Sequence, residues 1–248
     1  MLKTLKNRFE QGYKTTSYPK TKIELVERYR GLPDINIDVE DDIAKICAAA
    51  CPQDAIDEHK KTIDMGRCVF CGSCERLSEE KFVKFTRNFE TSTSRREHLI
   101  TEGSLPALAE HSKKHFKKLF GRSLQLRQIS AAGCNACEAD LNVLATPFFD
   151  LARFGINFVA SPRHADGIVV TGPVSRNMKT AVLETFEAVP DPKVVIAVGS
   201  CAISGGPFRG SPEITEGLES LIQVDLFIPG CPPHPLTNLH ALLNFFKS

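Results

Sequence analysis

From residue 124 onward the chain repeats one pattern: an apolar, β-branched run closed by glycine, serine or proline, then a segment with helical spacing. The runs are SLQLRQIS, INFVAS, GIVVTG, KVVIAVG and VDLFIPG. Such runs read as strands, and the spacing between them predicts helices over roughly 137–153, 175–188 and 235–247. Strands that are apolar on both alternating faces must be covered on both sides, which requires a parallel sheet between helical layers. The expectation for residues 124–248 is therefore α/β: a flavodoxin-like, doubly wound parallel sheet.

Residues 1–98 have another texture, charged, short in regular pattern and rich in cysteine. They read as a second, smaller α+β domain with an N-terminal extension, which the spacing of Cys47, Cys51, Cys68, Cys71 and Cys74 makes ferredoxin-like. The join, 99–123, reads as a basic linker. Its LPALAEHSKKHFKKLFGR carries Leu105, Leu108, Phe116, Leu119 and Phe120 among lysines, as expected of a helix packing its apolar side on the body. His111 and His115 would share a face of that helix, but no cysteine lies nearby to complete a metal site.

The 248 residues carry 31 basic and 30 acidic side chains, a balance that gives no hint of nucleic acid as a partner. The opening MLKTLKNRFE has no apolar signal core, and no window approaches the about 18 uninterrupted apolar residues of a membrane span. A soluble, cytoplasmic chain is expected. Leu2, Leu5 and Phe9 are spaced to share one helical face that would lie on a membrane surface or dock on a membrane subunit; a short fraying terminal helix is the alternative.

Nine cysteines are many for a compartment that keeps thiols reduced, so metal or redox chemistry is the leading explanation. Unrelated buried thiols would be irregularly spaced. Here Cys47, Cys51, Cys68, Cys71 and Cys74 fall in one short stretch, and Cys134, Cys137, Cys201 and Cys231 each stand beside glycine, alanine or proline.

Two-cluster bacterial ferredoxins run Cys-x-x-Cys-x-x-Cys-x-x-x-Cys-Pro twice, and the fourth cysteine of each run ligates the other run's cluster. Aligned on CAAACP, the first run has Asp41 and Ala44 at its first two positions, then Cys47 and Cys51 before Pro52. The second keeps Cys68, Cys71 and Cys74 and has Ser78 in fourth place. One cluster would need positions 41, 44, 47 and 78 and retains only Cys47. The other needs 51, 68, 71 and 74 and retains all. The losses therefore fall on a single cluster, and one [4Fe–4S] on Cys51, Cys68, Cys71 and Cys74 is expected, with Cys47 an unligated thiol. A Cys₄ zinc site is the alternative.

Cys134 and Cys137 follow the first predicted strand, Cys201 the fourth and Cys231 the fifth, so all four are expected at the carboxyl ends of parallel strands, where open α/β sheets bind ligands. Four thiolates converging from three loops suggest a second cluster. Gly133, Gly199, Gly205, Gly206 and Gly230 would let backbone approach it and give N–H groups to its sulfides.

TTSYPKTKIELVERYRG with GRCVFCGSC resembles the ferredoxin-type electron-transfer subunit of formate hydrogenlyase and its relative in complex I, departing from it by the lost cluster. GCNACEADLNVLATPFFDLARFGINFVASPRHADGIVVTGPVSRNM, DPKVVIAVGSCAISGGPF and DLFIPGCPPHP, over residues 122–248, resemble the small subunit of group 4 membrane-bound energy-converting [NiFe]-hydrogenases, and more broadly the 20 kDa cluster-bearing subunit of complex I. Two residues separate Cys134 from Cys137, as in hydrogenase small subunits; the complex I subunit has adjacent cysteines there. His164 in SPRHAD matches the formate hydrogenlyase version.

The resemblance implies a fusion of two subunits that carries two [4Fe–4S] clusters and no nickel. The Ni–Fe site would lie on a partner large subunit, with further electron-transfer and integral membrane subunits holding the chain peripherally on the cytoplasmic face of the membrane. It implies a proximal relay on Cys134, Cys137, Cys201 and Cys231, a proton-relay or helix-start role for Glu138, and contacts of Arg163 and His164 with that relay or the partner. Two alternatives stay open: the equivalent subunit of a nickel-free hydrogenase-related or quinone-reducing complex, and a zinc-stabilised structural subunit.

Overall fold

The computed structural model describes residues 2–103 and 123–247. The expected linker helix, with His111 and His115, lies outside the described residues. Leu99, at the start of that stretch, is fully buried, and Ile100–Thr101 form strand β5.

Five strands, β6 (Leu124–Ser130), β7 (Ile156–Phe158), β8 (Gly167–Thr171), β9 (Val194–Val198) and β10 (Leu226–Ile228), make one sheet in the order β10-β9-β8-β6-β7, parallel throughout. Counted in chain order this is 5-4-3-1-2, the flavodoxin-like arrangement. Every residue of β8 and β9 is buried, because both faces are covered. Ile196 and Val198 face one core layer with Leu141, Leu239 and Leu242; Val195 and Ala197 face the other with Val182 and Ile203. The covering helices are α4 (Ala136–Val143) and α7 (Pro235–Lys247) on one side and α5 (Arg176–Ala188) on the other, with α6 (Gly199–Ser204) directly after β9.

The last two predicted helices appear with almost the expected bounds, but the first does not run to residue 153. It ends at Val143; Thr146 precedes Pro147, which disfavours helical backbone at that position, and a 3₁₀ turn, Leu151–Phe154, follows.

The N-terminal part contains an antiparallel pair, β1 (Pro33–Ile35) with β4 (Val83–Phe85), and a three-stranded sheet of β2 (Ile56–Asp57), β3 (Thr62–Asp64) and β5. Helices α2 (Asp41–Ala49) and α3 (Ser73–Leu77) pack beside them. This part shares its interior with the parallel sheet. Met65 and Leu99 belong to one core layer of the sheet, Tyr18 and Phe89 to the other. Thr93 pairs antiparallel with Phe227 of β10, exchanging backbone bonds of 3.0 and 2.8 Å, so the N-terminal part covers the sheet's edge. Arg153 donates to the carbonyls of Thr16 (2.7 Å) and Tyr18 (2.9 Å), and the Tyr18 hydroxyl shares a 2.6 Å hydrogen bond with His240 Nδ1.

Helix α1 (Leu2–Gln11) forms as its spacing predicts, with Leu2 85% and Phe9 88% exposed. Among the described residues no helix is long and apolar enough to cross a membrane.

Phe227 is 1% exposed at the strand that receives the N-terminal part. Phe227→Ala is expected to lower unfolding stability by about 3–5 kcal/mol, the cost of a buried aromatic cavity, in a denaturant titration.

Candidate metal centre

The first cysteine set is built around α2 and α3. Cys51 follows α2, Cys68 and Cys71 lie in the loop before α3, and Cys74 lies on α3. The structure brings Cys51, Cys68, Cys71 and Cys74 around one pocket, backed by Ile63 and Phe85. N–H groups already point at two of the sulfurs: Ala55 donates to Cys51 Sγ at 3.4 Å and Phe70 to Cys68 Sγ at 3.3 Å.

Burial and then the neighbouring thiols push Cys68 and Cys74 up to about 12, although a backbone N–H beside each offsets part of the shift. At Cys71 burial acts in the same direction, but the Ser73 hydroxyl, backbone donors and Arg76 together outweigh it and hold the thiol below its ordinary value.

Cys47 does not line this pocket, although its field reaches Cys74. It is 1% exposed among Ala44, Ile63 and Phe82, and its thiol donates to the Cys74 carbonyl at 3.5 Å. Burial raises it, and a hydrogen bond from Ser78 partly offsets that. Three of the four positions that a second ferredoxin cluster would use, 44, 47 and 78, are buried here, and Ala44 and Cys47 are part of an apolar core.

The second set forms at the carboxyl edge of the parallel sheet. Cys134 follows β6, Cys137 lies in the first turn of α4, Cys201 lies in α6 after β9, and Cys231 follows β10. Cys137 is raised by burial, then by Glu138 and by the three other thiols. Cys201 is pushed up to about 11 by burial, then by Cys231, Cys134 and Glu138. Burial and then Cys134 raise Cys231. The four sulfurs therefore lie within one another's field.

Two glycines make room for them. A Cβ on Gly199 (φ +86°) would meet Cys137 Sγ at 2.6 Å, and one on Gly206 (φ +53°) would meet Cys201 Sγ at 2.8 Å.

Thiols gathered in fours, with Cys68, Cys74, Cys137, Cys201 and Cys231 raised by burial, are a donor set that a positively charged metal group would stabilise as thiolates, releasing protons. The chemistry of both sets fits such a group. Among the described residues no three His, Cys, Asp or Glu side chains are gathered closely enough for a single metal ion.

Glu138 is 5% exposed, and its Oε1 accepts the hydroxyls of Ser130 (2.6 Å) and Thr171 (2.7 Å). Its partners are side-chain hydroxyls, where the helix-start reading expects a backbone N–H. Arg163 and His164 lie in a 3₁₀ turn, Pro162–His164, leading into the amino end of β8. They are exposed and sit at the opposite end of the sheet from the cysteine loops.

Sequence reasoning misses Ser200 and Ser204, whose hydroxyls donate to the carbonyls of Cys68 (2.6 Å) and Gly66 (2.9 Å) and fasten α6 to the first cysteine set. Their spacing of four puts them on one helical face; nothing in the local pattern names the distant carbonyls.

The sequence pattern of the NADH ubiquinone oxidoreductase 20 kDa subunit matches residues 134–245. A probable membrane-bound hydrogenase subunit of Pyrococcus furiosus is 42% identical over 126 residues, 51% of this chain and 75% of that protein. Formate hydrogenlyase subunit 7 of Escherichia coli is 40% identical over 124 residues, 50% of this chain and 49% of that protein. A NADH-quinone oxidoreductase subunit of a Roseiflexus species is 44% identical over 116 residues, 46% of this chain and 43% of that protein. The chain thus spans about half or less of the length of the last two.

In metal-free protein the lowered Cys71 thiol carries the larger thiolate fraction near pH 8, and the raised Cys68 thiol carries almost none. Timed iodoacetamide alkylation read by peptide mass spectrometry is expected to label Cys71 well before Cys68. Equal rates would contradict the assigned environments.

Proposed function

The chain belongs to the NADH ubiquinone oxidoreductase 20 kDa subunit family, and on that premise we propose that it is the electron-transfer small subunit of a membrane-bound [NiFe]-hydrogenase complex. The observation that carries this reading is the pair of four-thiol sets, the second gathered from three loops at one edge of the parallel sheet within the matched region. Cys51, Cys68, Cys71 and Cys74 would hold one [4Fe–4S] cluster, and Cys134, Cys137, Cys201 and Cys231 the other. Each cluster supplies reversible one-electron transfer when bound.

The chain's own residues prepare both sites. The thiols provide one ligand per iron, the N–H groups of Ala55 and Phe70 add hydrogen bonds to sulfur that tune potential, and Gly199 and Gly206 keep side chains out of the second site. Ser130 and Thr171 hold the Glu138 carboxylate beside Cys137.

The N-terminal part is read as a ferredoxin-like subunit fused to the family domain, which keeps two electron carriers at high effective concentration. Hydrogen chemistry is assigned to a nickel-bearing large subunit. Integral membrane and other electron-transfer subunits would hold the chain at the cytoplasmic face of the membrane.

The two-residue separation of Cys134 and Cys137, together with the hydrogenase and formate hydrogenlyase relatives, favours hydrogenase. The 44% identity to a NADH-quinone oxidoreductase subunit supports a second reading, the same role beside a large subunit without nickel. Nickel in the co-purified complex separates the two.

Anaerobically purified chain is expected to contain about eight iron and eight acid-labile sulfide atoms. Cys71→Ser and Cys201→Ser should each lose about four of both. Zinc without iron would overturn the proposal.

A further inference from the structure

Ser200 ligates nothing, yet it is 1% exposed and its hydroxyl lies 2.6 Å from the carbonyl oxygen of Cys68, 132 positions away. A second carbonyl, that of Gly230, lies 3.1 Å from the same hydroxyl, but it already receives the Ser200 backbone N–H at 2.9 Å. The hydroxyl has one proton, and the contact shorter by half an ångström directs it to Cys68. Ser200 precedes Cys201, and Gly230 precedes Cys231. One serine therefore touches the main chain of a first-set ligand and of a residue adjoining a second-set ligand, while being bonded to another.

We propose that Ser200 is a positioning residue for electron transfer between the two cysteine sets. The inference rests on the cluster-bearing function proposed above and adds the route. From the Cys68 sulfur the path follows covalent bonds to its carbonyl, crosses one 2.6 Å hydrogen bond to the Ser200 hydroxyl, and follows covalent bonds again to the Cys201 sulfur. Electronic coupling decays less steeply through covalent and hydrogen bonds than across empty space, so this contact favours one path. In each transfer the group on one set is oxidised by one electron and the group on the other is reduced. No bond forms or breaks and no proton is required.

Ser204 supplies an internal control. One helical turn further on, it is 7% exposed and donates to Gly66 at 2.9 Å. It fastens the same two parts together and lies 3.1 Å from the Ser200 carbonyl, but it touches neither a ligand residue nor the Ser200 hydroxyl. Removing either hydroxyl costs a comparable buried hydrogen bond, but only Ser200 lies on the path.

The test uses the full chain, loaded anaerobically, as wild type, Ser200→Ala, Ser204→Ala and Ser200→Thr. After flash reduction, freeze-quench EPR follows equilibration between the two centres, and iron and sulfide are counted in each sample. Ser200→Ala is expected to keep the wild-type iron content while equilibration slows on the order of tenfold, the cost of imperfect placement of reacting groups, and the spin–spin splitting between the reduced centres diminishes. Ser204→Ala should match wild type, and Ser200→Thr, which keeps the hydroxyl, should restore the rate. Unchanged equilibration in fully loaded Ser200→Ala, equal slowing in Ser204→Ala, or loss of iron from Ser200→Ala would each overturn the positioning role. A wild-type chain that binds no iron would overturn the cluster-bearing function itself and the route with it.

Discussion

Parallelism of the five-stranded sheet is the constraint on which the second cysteine set depends. Each strand in such a sheet ends at the same edge, so loops after β6, β9 and β10 meet there although they are far apart in sequence. Cys134, Cys137, Cys201 and Cys231 need no special long-range device to find one another. Burial of β8 and β9 on both faces holds the strands between two helical layers and so keeps that edge in place. The first set has no such frame. It relies on two short helices and a small apolar core, and its loop also touches α6.

Both sets share an electrostatic tension. At Cys68 and Cys74 in one set, and at Cys137 and Cys201 in the other, burial and neighbouring thiols disfavour the anion. This stores no useful chemistry by itself, but it makes the sites dependent on a cationic group that lowers the thiol pKa values. The contrast with Cys47 is instructive. Its thiol is also raised by burial, yet it packs against Ala44 beside the Ser78 hydroxyl, with no other sulfur ligand for the cluster it would have served.

Much of this is legible in the sequence. The apolar runs mark strand positions to within three residues, and helices 175–188 and 235–247 appear at nearly those bounds, since long periodic segments carry strong signals. The crossing rule of ferredoxin ligands anticipates the company of Cys51 with Cys68, Cys71 and Cys74 around one pocket. Legibility fails where a fact belongs to two distant segments. The hydroxyl of Ser200 and the carbonyl of Cys68 have no shared local pattern, and neither do Thr93 and Phe227. The expected helix 137–153 is too long because its apolar spacing continues past Thr146–Pro147, where the backbone cannot. Arg163 and His164 stand in a suggestive motif, but topology places them at the end of the sheet opposite the second cysteine set, which removes a contact with that set and leaves the partner contact as an expectation.

The most direct test of the central claim is an iron-edge anomalous difference map from anaerobically grown crystals of the full chain. The account predicts two compact iron peaks, one enclosed by Cys51, Cys68, Cys71 and Cys74 and one by Cys134, Cys137, Cys201 and Cys231, with none beside Cys47. A single peak, iron bound at Cys47, or peaks only at the zinc edge would contradict it.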